Sequence, residues 1–129
     1  MSVYHDDPVA CEAAELIDKA LTELKVHGWV QGHMGTVNGP KCLVGALCWA
    51  ATGDPLLDPR RSDYGVVDPK TAAYLRAVGS LSRDSGGVIS YNDTHNRKFW
   101  EIRWRCRVTS FKLRWRNRCQ GRIQDEAQV

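Results

Sequence analysis

No apolar run in this 129-residue chain approaches the roughly 18 residues needed to cross a bilayer. The opening Met-Ser-Val-Tyr-His-Asp-Asp-Pro has neither the basic nor the apolar stretch of a secretory signal, so a cytoplasmic protein is expected. Closely spaced cysteine pairs are missing too. The five cysteines stand at positions 11, 42, 48, 106 and 119, an odd number with no Cys-x2-4-Cys spacing. Reduced, mostly buried thiols are therefore expected, not a disulfide framework. The chain also lacks a P-loop, a Gly-x-Ser-x-Gly elbow and a Gly-x-Gly-x-x-Gly turn, and no cofactor is expected.

One segment has almost no acidic residues. Between Arg97 and Arg122 there are 10 Lys/Arg and only Glu101 on the other side, whereas residues 1–96 carry 8 Lys/Arg against 12 Asp/Glu. Charge divided this sharply points to a directional electrostatic role for one end of the chain. The overall composition, with 43% apolar and 26% charged residues, is that of a folded domain, and the length suits a single one.

The local patterns are mainly helical. Asp7 is placed to N-cap a helix that opens on Pro8 and ends at Gly28. Within it Ala13, Leu16, Ile17, Ala20, Leu21 and Leu24 form one apolar stripe. The glycine-rich stretch that follows contains Asn38-Gly39, which suits a short hairpin near 29–41. Residues 42–52 are apolar nearly all round, as in a buried central helix, with Gly45 and Ala46 small enough for another helix to approach. Asp68-Pro69 starts a third helix, along which Ala72, Leu75, Val78 and Leu81 recur until Ser85-Gly86-Gly87. Val88 to Tyr91 reads as short and extended, and Asn92, Asp93 and Thr94 as caps of the next helix. The basic segment supports two periods. Trp100, Ile102, Trp104, Cys106 and Val108 alternate as in a strand. Trp100, Trp104, Val108, Phe111, Trp115 and Cys119 recur as in a long helical stripe that would pack partly on the body.

Three fragments in order carry a resemblance: Gly28-Trp29-Val30-Gln31-Gly32, then Lys41-Cys42-Leu43-Val44-Gly45-Ala46-Leu47, then Ile89-Ser90-Tyr91-Asn92-Asp93 followed by Arg97 and Glu101-Ile102. Together they resemble a family of small actinobacterial and actinobacteriophage proteins of unknown function, over roughly residues 10 to 107. Tyr91 stands where that pattern usually has Trp, and the Arg/Trp extension has no counterpart in it. The resemblance implies an α-helical domain and tips the basic segment towards helix. It implies no activity. If the chain is phage-encoded, its expected location is the host cytoplasm.

The fold expected is thus mainly α: one small helical bundle of about four helices around a buried central helix. The first half of segment 97–122 is expected to pack on the body. No metal site is expected: His27, His33 and Cys42 are the candidate ligands, but they match no full ligand motif. An acid–base site near Asp93 and His95 is the enzymatic alternative, although neither an orienting partner nor a nucleophile is visible. The expectation preferred over it is a non-enzymatic phage or host accessory protein that binds an acidic protein partner through its basic C-terminal segment. Nucleic acid is the alternative partner for the same surface. The residues expected to make that contact are Trp100, Arg103, Trp104, Arg105, Arg107, Lys112, Arg114, Trp115, Arg116, Arg118 and Arg122.

Overall fold

A computed structural model of the chain describes residues 7–59, 69–117 and 119. It is mainly helical, as expected, with five helices among the described residues: α1 (Pro8–His27), α2 (Leu43–Thr52), α3 (Pro69–Ser85), α4 (Val88–Asp93) and α5 (Phe99–Asn117). None is long and apolar enough to cross a membrane.

Helix α1 begins where its cap residue dictates. The Asp7 carboxylate accepts from the N–H groups of Val9 and Ala10, both at 3.1 Å, and Gly28 closes the helix with its N–H on the Leu24 carbonyl. The six apolar residues of its expected stripe are all buried. Helix α1 packs against α2, α3 and α5, and the core lies where these four helices meet. On α3 the buried face is displaced from the expected one. Ala73, Tyr74, Ala77 and Leu81 are buried, while Leu75 is exposed. The Tyr74 ring is turned inward, with its hydroxyl 3.4 Å from the Cys48 sulfur.

Residues 29–41 form no hairpin. The described residues there make only isolated bridges, Trp29 with Lys41 and Gly35 with Lys41. The loop is folded tightly because Lys41 anchors it from within. Its side chain is fully buried, and Nζ donates to Glu23 Oε2 at 2.6 Å and to the carbonyls of Val37 and Gly39 at 2.8 and 2.9 Å. A buried ammonium is tolerable only with such partners. Gly45 is also explained by this loop and not by a neighbouring helix. A side chain there would collide with the Met34 carbonyl.

Two further expectations are corrected. Val88–Tyr91 is not extended but is the start of α4, because Gly86 and Gly87 turn the chain through positive φ and the Tyr91 N–H then reaches the Gly87 carbonyl at 2.8 Å. The β-branched residues at 88 and 89 favour a strand only weakly, and burial of Val88 decides otherwise. The cysteines are not all reduced. Cys11 and Cys119 form a disulfide that ties the chain beyond α5 to α1, while Cys42, Cys48 and Cys106 are buried and take part in no disulfide among the described residues. Burial pushes the Cys106 thiol up to about 12, with the nearby Asp18 charge adding to the effect.

Candidate partner-binding face

Helix α5 carries two stripes. The inward one is Ile102, Cys106, Thr109, Ser110 and Leu113. Its middle is small and polar, which lets α5 approach α1 closely. The Ser110 hydroxyl donates to the Ala14 carbonyl at 3.3 Å, and the Thr109 hydroxyl to Asp84 Oδ2 at 2.7 Å. The outward stripe is aromatic. Trp100, Trp104, Phe111 and Trp115 are 67, 53, 66 and 74% exposed. At about 100° per residue they fall within a sector of roughly 60°, directly opposite the buried face. The aromatic stripe therefore faces solvent, and the part of α5 that packs on the body is the other side. Phe111 and Trp115 stack on each other, with centroids 6.3 Å apart and planes 14° from parallel.

The expected cations differ in their surroundings. Lys112 and Arg114 are engaged with the body: Lys112 lies 3.7 Å from Asp84, and Arg114 pairs with Asp18 at 2.6 Å and also reaches the Ser110 hydroxyl. Arg105 is half-buried, 4.7 Å from the Trp104 ring centroid and 6.0 Å from that of Tyr91. Arg103, Arg107 and Arg116 are exposed and have no carboxylate partner among the described residues. Arg103 and Arg107 border one edge of the aromatic stripe and Arg105, Lys112 and Arg116 lie towards the other. Arg118 and Arg122 lie outside the described residues.

The first turn of α5 is held by the first cation of the basic segment and its lone acid. Arg97 donates to the Tyr91 carbonyl at 2.9 Å and to Glu101 Oε2 at 2.6 Å, and its guanidinium sits 3.8 Å from the Tyr91 ring centroid. Glu101 accepts from the Lys98 N–H at 2.9 Å. That bond, followed by the Arg97 guanidinium, holds the Glu101 carboxyl below its ordinary value.

Asn92 and Asp93 do not cap α5. Asn92 is buried and joins three parts of the fold. Its Oδ1 accepts from the Trp29 indole at 2.7 Å and from the Leu43 N–H at 2.9 Å, so it caps the start of α2 from 49 residues away. Asp93 Oδ1 accepts from the Gly32 N–H and from Asn92 Nδ2, and His95 is exposed. The three candidate metal ligands have other surroundings. His27 pairs with Glu23 at 2.8 Å, Cys42 Sγ accepts from the Gly45 N–H, and His33 is exposed.

The stretch from α1 into the first turn of α5, residues 9–103, matches the sequence model of a family of unknown function, DUF6197. The chain belongs to that family. No curated protein and no solved structure matches it. Of the four aromatics on the outer stripe, only Trp100 lies within the DUF6197 match. Trp104, Phe111 and Trp115 lie beyond it, as does Cys119.

Proposed function

We propose that the protein is a non-enzymatic accessory protein, of a phage or its host, that binds an acidic protein partner through the outer face of α5. The observation that carries this reading is the row of four exposed aromatics bordered by the exposed Arg103 and Arg107. At roughly 150–250 Å² per aromatic side chain, the observed exposures leave on the order of 500 Å² of aromatic surface on one helix face. That is at the upper end of patches on ordinary monomers and over half of the ~800 Å² each partner contributes to a standard interface. An apolar centre with an arginine rim is the layout in which Trp and Arg act as anchors. The stripe runs about 22 Å along the helix, which suits insertion into a partner's groove.

The rim selects the partner's charge. Arg103 and Arg107 would meet carboxylates on an acidic surface, whereas a second copy of this face would set like charges against each other. Nucleic acid is the competing occupant, because arginines pair with phosphates and tryptophans stack on bases. It fits less well, since the centre of the face is aromatic and the exposed arginines stand to its side.

The test is affinity capture from lysate of the encoding organism or its host, with and without nuclease. Purified captured protein is then rebound to wild type and to a Trp104→Ser/Phe111→Ser/Trp115→Ser variant. An acidic protein that survives nuclease, binds wild type directly and is lost from the variant is the expected result. Capture that vanishes with nuclease transfers the face to nucleic acid. Equal binding by the variant overturns the proposal.

A further inference from the structure

A cleft of about 180 Å³ opens between α3 and α5, on the flank of α5 away from the aromatic stripe. Arg76 and Arg83 line it from α3, and Lys112 and Arg116 from α5. Among the described residues, four cations thus face a single carboxylate in the cleft, that of Asp84. Both oxygens of Asp84 are already committed, one to the Thr109 hydroxyl at 2.7 Å and the other to Lys112 at 3.7 Å. Asp7 stands 3.4 Å from Arg76. Arg83 and Arg116 are exposed and have no carboxylate partner among the described residues.

A second observation is independent of charge. Ser80 lines the same cleft and is only 4% exposed, yet its hydroxyl has no hydrogen-bond partner among the described residues. A serine inside a helix ordinarily satisfies its hydroxyl on the carbonyl four residues back, as Ser85 does with Leu81 at 2.6 Å. A buried hydroxyl left without a partner is unfavourable and calls for an explanation, such as a ligand that supplies the missing acceptor.

We propose that this cleft is a binding site for a phosphate group, with the Ser80 hydroxyl and the guanidiniums of Arg83 and Arg116 as its donors. A tetrahedral oxyanion presents acceptor oxygens in several directions and can bond donors from two helices at once. Arginine's planar fork matches two of those oxygens, and bonds to the charged group are the strong kind. Asp84 acts as a positioning residue, holding Lys112 and Thr109 in the wall. At ~30 Å³ per water in the liquid, the cleft has room for a phosphate and a few waters. An organic substituent would project into solvent. The phosphate can be free or the end of a small phosphomonoester. The site does not depend on what the outer face of α5 binds.

Calorimetric titration and thermal shift on the full chain test this, with inorganic phosphate and phenyl phosphate as separate probes and chloride at matched ionic strength as the control. Saturable stabilisation by at least one phosphate probe, absent with chloride, is expected. Response to both probes identifies free phosphate as sufficient, and response to phenyl phosphate alone identifies a monoester site. Ser80→Ala should melt no lower than wild type without ligand, since it removes an unsatisfied group, yet bind about tenfold or more weakly. Arg83→Gln and Arg116→Gln should weaken binding, and Lys25→Gln, on the exposed end of α1, should not. Equal shifts with chloride, undiminished binding by Ser80→Ala, or an equal loss in Lys25→Gln would each overturn the proposal.

Discussion

Replacing Asn92 with alanine should destabilise the protein by about 3–4 kcal/mol. The side chain makes four hydrogen bonds: Oδ1 accepts from Trp29 Nε1 and Leu43 N, and Nδ2 donates to Val30 O at 3.3 Å and Asp93 Oδ1 at 2.8 Å. Alanine leaves three of the partners without a replacement, since Asp93 Oδ1 retains the Gly32 N–H. An orphaned buried group costs roughly 1–3 kcal/mol. The Leu43 N–H is buried at the start of α2 and should cost about 2. The Trp29 indole is half-buried and can recover part of its loss from water, leaving about 1. The Val30 carbonyl, in a long bond, adds less than about 1. The total would be a large share of the 5–15 kcal/mol typical of a domain. Urea unfolding followed by circular dichroism measures it, and an unchanged m-value would show that only stability had moved. Trp29→Phe should cost about 1 kcal/mol and keep the ring beside Phe99, which lies 6.2 Å away between centroids. The double variant should then lose less than the sum of the two. Strict additivity, or a loss under about 1 kcal/mol for Asn92→Ala, would refute the assignment of Asn92 as the junction of three segments.

Two other outcomes follow from the same reasoning. The Cys11–Cys119 bond closes a separation of 108 residues, for which chain entropy gives about 4.7 kcal/mol as an upper figure and about 2–4 is typical. Reductant should lower the melting temperature accordingly, and mass spectrometry after alkylation of unfolded, unreduced protein should find three labelled thiols, with five contradicting the bond. Acid should act on the first turn of α5. The Glu101 carboxyl is held below its ordinary value of 4.5, so its contribution is present above that pH and is lost as pH falls through the lower folded value. Glu101→Gln should remove that part of the acid dependence of helicity, and an unchanged acid limb would contradict it.

What could be read from the sequence was local. Asp7, Pro8 and Gly28 bounded α1 because caps and stops act within a turn of the helix end. The unbroken apolar run of α2 reported its burial for the same reason. The inward face of α5 was not legible. Its seam is built on Cys106, Thr109 and Ser110, whose modest size and polarity hide a close helix–helix approach, while the larger aromatics opposite give the stronger periodic signal. Asn92 looked like a cap of the next helix because nothing in its neighbours tells that its partners lie at positions 29 and 43. The disulfide was hidden in the same way, since a separation of 108 residues matches no spacing rule. The proposed phosphate cleft is the extreme case: its donors are scattered over two helices, and what distinguishes it from an ordinary basic surface is the Ser80 hydroxyl, unpartnered among the described residues.

The bond between Cys11 and Cys119 also changes the covalent topology of the chain. From residue 11 to residue 119 the polypeptide is a closed ring. A protease that cuts once anywhere within the ring opens it but releases nothing. The two new ends remain parts of one molecule, which migrates as a single species until the bond is reduced. The segment joining the described parts, residues 60–68, lies inside that ring. A single cut there would keep α1 and α5 in one covalent piece, with the aromatic row still attached to the body that displays it.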